Sequence, residues 1–357
     1  DATNLLIIWD RIGDYHRARV EALRRELKAG TVFTADLGAA DGLYKWSTTE
    51  GERTHFRLSE KPVDRADFLR RGWRFWKAVR RHGVRRVAVA GYGRPSYILI
   101  LILARLLGLR VCLFAESWYG THPVKNRLKG RFLRAVCDGF LLSGERAKAH
   151  FRDRLGIPEE RIFLPYSVVD NDHFAPPDDL ARKRILLCVA RFSPEKHLDL
   201  LIRAFLASSL GDTWTLRLIG GGPEKAALEA LIDGARGVEL VDWVSYGDLP
   251  ERYHEAAWFI LPSRFEPWGL VVNEAMAAGL PVVVSEACGC APDLVGPENG
   301  YRFPTADEAA LRRVLEALPV PDSPEWARMS AASRERIRAF GCDVWAAALL
   351  RATRVNI

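Results

Sequence analysis

Residues 258–285 constrain the fold more than any other stretch. Trp258-Phe-Ile-Leu-Pro-Ser263 is an apolar run of strand length, Leu270–Ala278 reads as a helix, and Pro281-Val-Val-Val-Ser285 is a second apolar run. Gly279 suits the position just past a helix end. Strand, tight loop, helix and strand in that order make a parallel βαβ unit, because parallel strands need a crossover. The loop Arg264-Phe-Glu-Pro-Trp-Gly269 leaves the carboxyl end of a strand, where open α/β sheets bind ligands. The helix start offers unpaired N–H groups and the positive end of the dipole, which suit a phosphate. Glu266 and Glu274 flank it. Neither suits phosphate, but both can accept hydrogen bonds from hydroxyls. The competing reading is a pair of solvated surface carboxylates.

The same alternation runs through the chain. In the first half, Asn4–Trp9, Thr31–Leu37, Arg86–Gly91, Arg110–Glu116, Asp138–Leu142 and Ile162–Leu164 read as strands. Ala18–Leu27, Asp64–His82, Ser96–Leu107, Val124–Val136 and Gly144–Leu155 read as helices, and Asp41–Glu60 as irregular surface structure. This predicts a doubly wound α/β domain over 1–165. The loop after the first strand carries Arg11, Gly13, Asp14 and His16, and Gly13 could let a ligand approach the backbone. It lacks the glycines of a dinucleotide fingerprint. Residues 166–184 read as a linker. A second cycle follows over 185–340, with strands Ile185–Ala190, Thr215–Ile219 and Val238–Val241 ahead of the central unit. Its helices are Leu198–Leu206, Lys225–Ile232, Leu249–Ala257, Ala291–Val295 and Asp307–Leu318. Pro324–Arg354 reads as a helical tail broken near Gly341, so that 341–357 returns to pack on the first domain.

Two further loops sit where ligands bind. Arg191-Phe-Ser-Pro-Glu-Lys196 brings a guanidinium and an ammonium to a helix start, a pair suited to a diphosphate. Gly220-Gly-Gly-Pro-Glu224 allows a ligand or a neighbouring loop to come close.

At 357 residues with 48% hydrophobic and 27% charged residues, the chain reads as two soluble globular domains. The six cysteines are scattered, with Cys288-Gly-Cys290 the only close pair, and read as reduced thiols. Asn4–Trp9 is too short an apolar run for a secretory signal, and a cytoplasmic location is expected. The net charge of +7 divides unevenly: residues 1–165 carry 32 Lys and Arg against 18 Asp and Glu, and residues 166–357 carry 20 against 27. A basic first half suggests an anionic partner. The basic, aromatic stretches 64–82 and 124–136 are candidates for an anionic membrane surface, with ordinary solvated helix faces as the alternative. No nucleic-acid recognition motif accompanies the basic half.

Val189-Ala-Arg-Phe-Ser-Pro-Glu-Lys196, Gly220–Glu224, and Glu266 and Glu274 set within Leu261–Ser285 resemble the family 4 glycosyltransferases, which are retaining GT-B enzymes. Asp170-Asn-Asp-His-Phe174 resembles that family's domain junction. The resemblance implies two Rossmann-like doubly wound domains facing a cleft, and transfer of a sugar from a nucleotide-sugar donor to an acceptor hydroxyl. It implies a UDP-sugar, with a GDP-sugar as the alternative. The acceptor would be a sugar or a lipid-linked acceptor in polysaccharide, lipopolysaccharide or glycolipid assembly, at the inner face of a membrane. Position by position, Arg191 and Lys196 would bind the diphosphate and Glu266 the donor sugar, with the backbone of Pro267, Trp268 and Gly269 beside it. Leu270 and Val271 would offer amides to phosphate, Glu274 would hold the ribose, Val244 would lie near the base, and Gly220, Gly221 and Gly222 near the nucleotide. Gly13, and His16 or Glu116, would belong to the first domain's share of the site. No metal and no resident cofactor are expected, since two cations already serve the diphosphate. Where that family usually has glycine, this chain has Ala190, His197, Asp242 and Cys290. The alternatives are a non-catalytic sugar-nucleotide-binding or membrane-associated scaffold of the same fold, and a transferase acting on a soluble small molecule.

Overall fold

The computed structural model describes residues 4–39, 53–63, 66–120, 122–178 and 180–354. The chain forms two compact units, Asp1–Val168 with Cys342–Ile357, and Val169–Gly341.

Unit 1 is built on a parallel sheet of β1 (Asn4–Trp9), β2 (Val32–Asp36), β3 (His55–Arg57), β4 (Val84–Val89), β5 (Arg110–Ala115), β6 (Gly139–Leu142) and β7 (Ile162–Phe163). Their order is β3-β2-β1-β4-β5-β6-β7. Leu5, Leu6, Ile7 and Ile8 of β1 are all fully buried, as a central strand covered on both faces requires. The crossovers use α1 (Asp14–Glu26), α2 (Phe68–His82), α3 (Pro95–Leu106) and α4 (Pro123–Val136), followed by the short α5 (Glu145–Ala149). Right-handed crossovers decide which face each helix covers. The connection β1→β2 steps one way across the sheet, and β3→β4→β5→β6 steps the other. Hence α1 lies on one face, and α2, α3 and α4 form a layer on the opposite face.

Unit 2 opens with α6 (Asn171–Phe174) and holds a parallel sheet of β8 (Ile185–Val189), β9 (Thr215–Ile219), β10 (Val238–Val241), β11 (Trp258–Leu261), β12 (Val282–Ser285) and β13 (Gly300–Phe303), in the order β10-β9-β8-β11-β12-β13. Around it lie α7 (Leu198–Leu206), α8 (Lys225–Ile232), α9 (Leu249–Glu255), α10 (Leu270–Ala277), α11 (Ala291–Leu294), α12 (Glu308–Glu316) and α13 (Pro324–Ile337). The last helix, α14 (Cys342–Ala352), belongs to unit 1 and packs on α1. Its Trp345 is fully buried, stacked on Trp9 with centroids 6.5 Å apart. Arg86 of β4 fixes the chain just beyond, donating to Thr353 O at 2.9 Å and Arg354 O at 3.0 Å.

Four sequence expectations differ from the structure. Asp41–Glu60 lies partly outside the described residues, and its described end forms the edge strand β3 rather than irregular structure. The edge strand β13 was not expected, because Gly300 and Arg302 interrupt its apolar pattern. The helix expected over Gly144–Leu155 is α5 followed by a wider turn, His150–Arg154. The stretch read as a linker is fastened into unit 2 at its end. Arg182 is buried there and donates to Tyr253 O at 2.8 Å and His254 O at 3.0 Å. Burial, with Arg334 nearby, lowers its pKa to about 10.

Trp345→Ala removes the largest side chain that α14 contributes to unit 1. A loss of about 3–5 kcal/mol is expected in urea denaturation.

Candidate functional site

In unit 2 the strand order reverses between β8 and β11. The chain runs β8→β9→β10 in one direction, then β11→β12→β13 in the other. Loops leaving the two central strands diverge there, and the crevice outside their carboxyl ends is the favoured ligand position. The loop after β8 is Ala190–His197, and the loop after β11 is Pro262–Gly269. Tertiary structure brings together what lies 70 residues apart in sequence. Arg264 N donates to Glu195 O at 2.8 Å. Lys196 Nζ donates to Glu266 Oε2 in an ion pair whose side chains are only 18% and 13% exposed. The reading of Glu266 as a solvated carboxylate is therefore wrong.

Arg191 is exposed on the same loop, and its side chain makes no hydrogen bond or ion pair among the described residues. The α10 start lies beside Glu266. Val272 N bonds to Gly269 O at 2.9 Å, while the amides of Leu270 and Val271 carry no backbone partner among the described residues. They are two of the orphan donors that open any helix. The loop that sets this start is held from beneath by backbone: Gly289 N donates to Glu266 O at 2.9 Å, and Cys290 N to Trp268 O at 3.1 Å. The Cys288–Cys290 segment is thus the floor of the loop, and both thiols are buried with neither joined in a disulfide. Trp268 is buried and donates through Nε1 to Asn273 Oδ1 at 2.9 Å, which fixes the backbone on either side, including Pro267. Gly269 stands at φ 105°, where only glycine is at ease.

Glu274 is fully buried, which removes the reading of a helix-surface carboxylate. Tyr253 of α9 donates to its Oε2 at 2.6 Å. Burial of a carboxylate is tolerated only with such partners.

The glycine loop after β9 has a different reason for its composition. A Cβ on Gly220 would stand 1.9 Å from Ala190 O, and one on Gly222 2.4 Å from Phe192 O. Phe192 N donates to Gly221 O at 2.8 Å and Glu224 N to Phe192 O at 3.0 Å. Gly220 and Gly222 are glycine because the Arg191 loop lies directly against them. Of the two possibilities left open by sequence, the neighbouring loop is the one observed. A Cβ at Gly221 would lie 3.1 Å from Trp243 Nε1. Trp243, 55% exposed, stands next to the half-buried Val244, within the segment that the resemblance places near the base.

His197 occupies the left-handed region at φ 55°, which explains why glycine is expected there and puts a strained residue at the base of the phosphate-suited loop. Its side chain is buried, and its Nδ1 has no hydrogen-bond partner.

Unit 1 has its own reversal point, between β1 and β4. Gly13 lies there as the residue that starts α1, its N–H donating to His16 Nδ1 at 3.0 Å. His16 packs on Trp9 at 4.6 Å. Asp10 at the end of β1 accepts from Tyr97 Oη at 2.7 Å and lies 3.6 Å from Arg94 Nη2, a cluster with no signal in the sequence because Asp10 lies more than 80 residues from its two partners. Glu116 accepts from Ser167 Oγ at 2.5 Å. Among the described residues no group of three or more His, Cys, Asp or Glu is placed to hold a metal ion.

Residues 183–318 match the family described as Glycosyl transferases group 1. The matched residues all lie in unit 2. A D-inositol 3-phosphate glycosyltransferase of Streptomyces scabiei is 31% identical over 53% of this chain and 47% of its own. A GDP-mannose-dependent alpha-(1-6)-phosphatidylinositol monomannoside mannosyltransferase of Mycolicibacterium smegmatis is 30% identical over 50% of each. The chain spans about half the length of these curated relatives. Among solved structures, a glycosyltransferase from Rickettsia africae aligns over 99% of this chain and 98% of its own with TM-score 0.79 and 12% identity. Anabaena HepE in complex with UDP and glucose aligns over 99% and 100% with TM-score 0.75 and 15% identity. The fold is GT-B, two Rossmann-like parallel-sheet units.

Gly269→Ala forces a side chain into a left-handed backbone and should lower stability by about 1–2 kcal/mol, read as a fall in the urea midpoint. Burial and Arg19 hold the pKa of His16 well below its ordinary 6.5, and burial and Arg264 hold His197 below the same value. Below about pH 6.5 the unfolded chain therefore binds protons that the folded chain refuses, so stability falls as pH falls. The urea midpoint should drop between about pH 7.5 and about pH 5.5, and drop less steeply in His197→Asn.

Proposed function

We propose that this protein is a glycosyltransferase that moves a sugar from a nucleotide-sugar donor to an acceptor hydroxyl with retention of anomeric configuration. The observation that carries the reading is the joining of two loops at the β8/β11 reversal point, where Lys196 meets Glu266 beside the exposed Arg191 and the open amides of Leu270 and Val271. Phosphate-binding and hydroxyl-binding groups stand side by side, as a sugar diphosphate requires. Arg191 and Lys196 bind the diphosphate, and with the α10 start they stabilise the charge that develops on it as the glycosidic bond breaks. One such donor is worth roughly 3 kcal/mol. Glu266 orients the donor sugar, with Pro267, Trp268 and Gly269 beside it, and the Lys196 contact holds its carboxylate in place. Glu274, fixed by Tyr253, takes the ribose hydroxyls. Val244 and Trp243 flank the base, and Gly220, Gly221 and Gly222 complete the nucleotide side.

The acceptor oxygen attacks the carbon that the leaving phosphate vacates, from the same face, and the departing phosphate oxygen takes the acceptor proton. Two cations neutralise the diphosphate, so this reading needs no metal. UDP is the favoured base, supported by the UDP named in the HepE complex, with GDP the alternative named for the mycobacterial relative. The acceptor is proposed to be lipid-linked or part of a surface glycan, met at the cytoplasmic side of a membrane through the basic first half. Gly13, His16 and Glu116 belong to the acceptor side of this reading.

A thermal-shift panel of UDP-, GDP-, ADP- and TDP-sugars tests it. One donor should raise the melting temperature, and Arg191→Ala or Lys196→Ala should abolish that rise. A rise that survives both substitutions removes the phosphate assignment.

A further inference from the structure

Between Asp67 and Asp138 the sequence contains a single carboxylate, Glu116, against 16 Lys and Arg. The fold collects most of that imbalance onto one face. Helices α2, α3 and α4 cover the same side of the unit 1 sheet, and none of the three contains Asp or Glu. The layer is continuous. A Cβ on the buried Gly72 of α2 would stand 2.6 Å from Leu99 Cδ2 of α3, so these two helices lie in close contact, and α3 packs on α4.

Their outward stripes are apolar as well as basic. Leu69 and Trp73 on α2 are 69% and 56% exposed, Leu106 on α3 is 77% exposed, and Leu128 on α4 is 63% exposed. Trp76, Ile98, Ile102 and Val124 extend the same stripes at helical spacing. Cations stand among them. Lys77 Nζ lies 5.3 Å from the Trp73 ring and the Arg80 guanidinium 5.5 Å from the Trp76 ring. The exposed Lys77, Arg80, Arg127 and Arg131 form no ion pair among the described residues. Single exposed apolar side chains are ordinary, but a contiguous patch of them marks an interaction surface.

We infer that this three-helix face docks on the surface of an anionic lipid bilayer. Cations at a bilayer surface meet phosphate headgroups, capped tryptophans suit the headgroup level, and Leu, Ile and Val enter the acyl boundary. A second copy of this chain would set the same acid-free basic face against itself, which charge repulsion opposes. A nucleic acid backbone would satisfy the cations but leave the aliphatic stripes unmatched. Among the described residues no helix is long and apolar enough to cross a membrane, so the contact is one of lying on the surface. The inference sharpens the membrane-side acceptor proposed above and adds α3, which joins the two basic helices into one surface.

Flotation of the full chain with phosphatidylcholine vesicles, with and without phosphatidylglycerol, tests the face. The chain should rise with the anionic vesicles at low salt and stay behind with neutral ones. Combined Lys77→Glu, Arg80→Glu, Arg127→Glu and Arg131→Glu should cut partition roughly a hundredfold or more. The pair Trp73→Ser and Leu128→Ser should cut it roughly tenfold with the charge intact, which serves if the fourfold variant does not fold by circular dichroism. Arg312→Glu with Arg313→Glu, the same kind of reversal on α12 of unit 2, should float like the parent chain. No flotation with anionic vesicles at low salt overturns the inference. So does equal flotation of the folded fourfold variant, or retention by heparin without flotation. Loss of flotation with the nucleotide-sugar thermal shift intact removes only the membrane face; loss of the shift with flotation intact removes only the donor reading.

Discussion

Parallel strand pairing is the constraint from which the rest of the molecule follows. Every strand neighbour in both sheets is parallel. Each connection must therefore cross over the sheet, and both faces must be covered. All loops of one kind then leave at the carboxyl edge, and the two that flank a reversal of strand order have no helix between them. In unit 2 this space is filled by chain rather than side chain. The Arg191 loop lies on the backbone of Gly220 and Gly222, and the Glu266 loop is clamped by amides of Gly289 and Cys290. Against that rigid backing the Lys196–Glu266 contact joins the two loops into one surface.

Such backing suits a site whose work is electrostatic. Groups that stabilise developing charge are effective when they are already in place. Three of the four departures from expected glycine, Ala190, His197 and Cys290, fall on the supports of this surface, whereas the exposed Asp242 pairs with Lys225 at 2.6 Å. Cys290 donates a backbone bond that another residue could equally supply, whereas His197 holds a strained backbone conformation. The first substitution is structurally neutral in kind; the second stores strain beside the phosphate-suited loop.

Unit 1 repeats the same architecture with a different outer surface. Its crossover helices hide one stripe against the sheet, as any doubly wound domain must, but the opposite stripe is not the mixed-charge surface of an ordinary soluble protein. Twelve cations and no carboxylate lie on α2, α3 and α4, and the buried Arg71 donates to carbonyls such as Pro62 O at 2.7 Å, with the charges of Asp67 and Asp10 acting on it from outside the three helices. The acidic residues of the chain sit largely in the second half.

Most strands were legible as apolar runs, and most helices to within one or two residues, because burial on both faces of a parallel sheet erases alternation and leaves contiguous Val, Ile and Leu. The edge strands β3 and β13 escaped because an edge is only half covered and tolerates Arg and Gly. The site residues of unit 2 could be chosen by chemistry and by resemblance. Sequence determined which groups could serve, namely two cations, two carboxylates, a helix start and a run of glycines. Only the tertiary structure decided that Glu274 is enclosed with Tyr253, that Lys196 and Glu266 are partners, and that Gly220 and Gly222 accommodate protein backbone. The reason is range. Local propensity and periodicity act over a few residues, whereas these contacts join segments 20 to 70 residues apart whose approach is set by strand order.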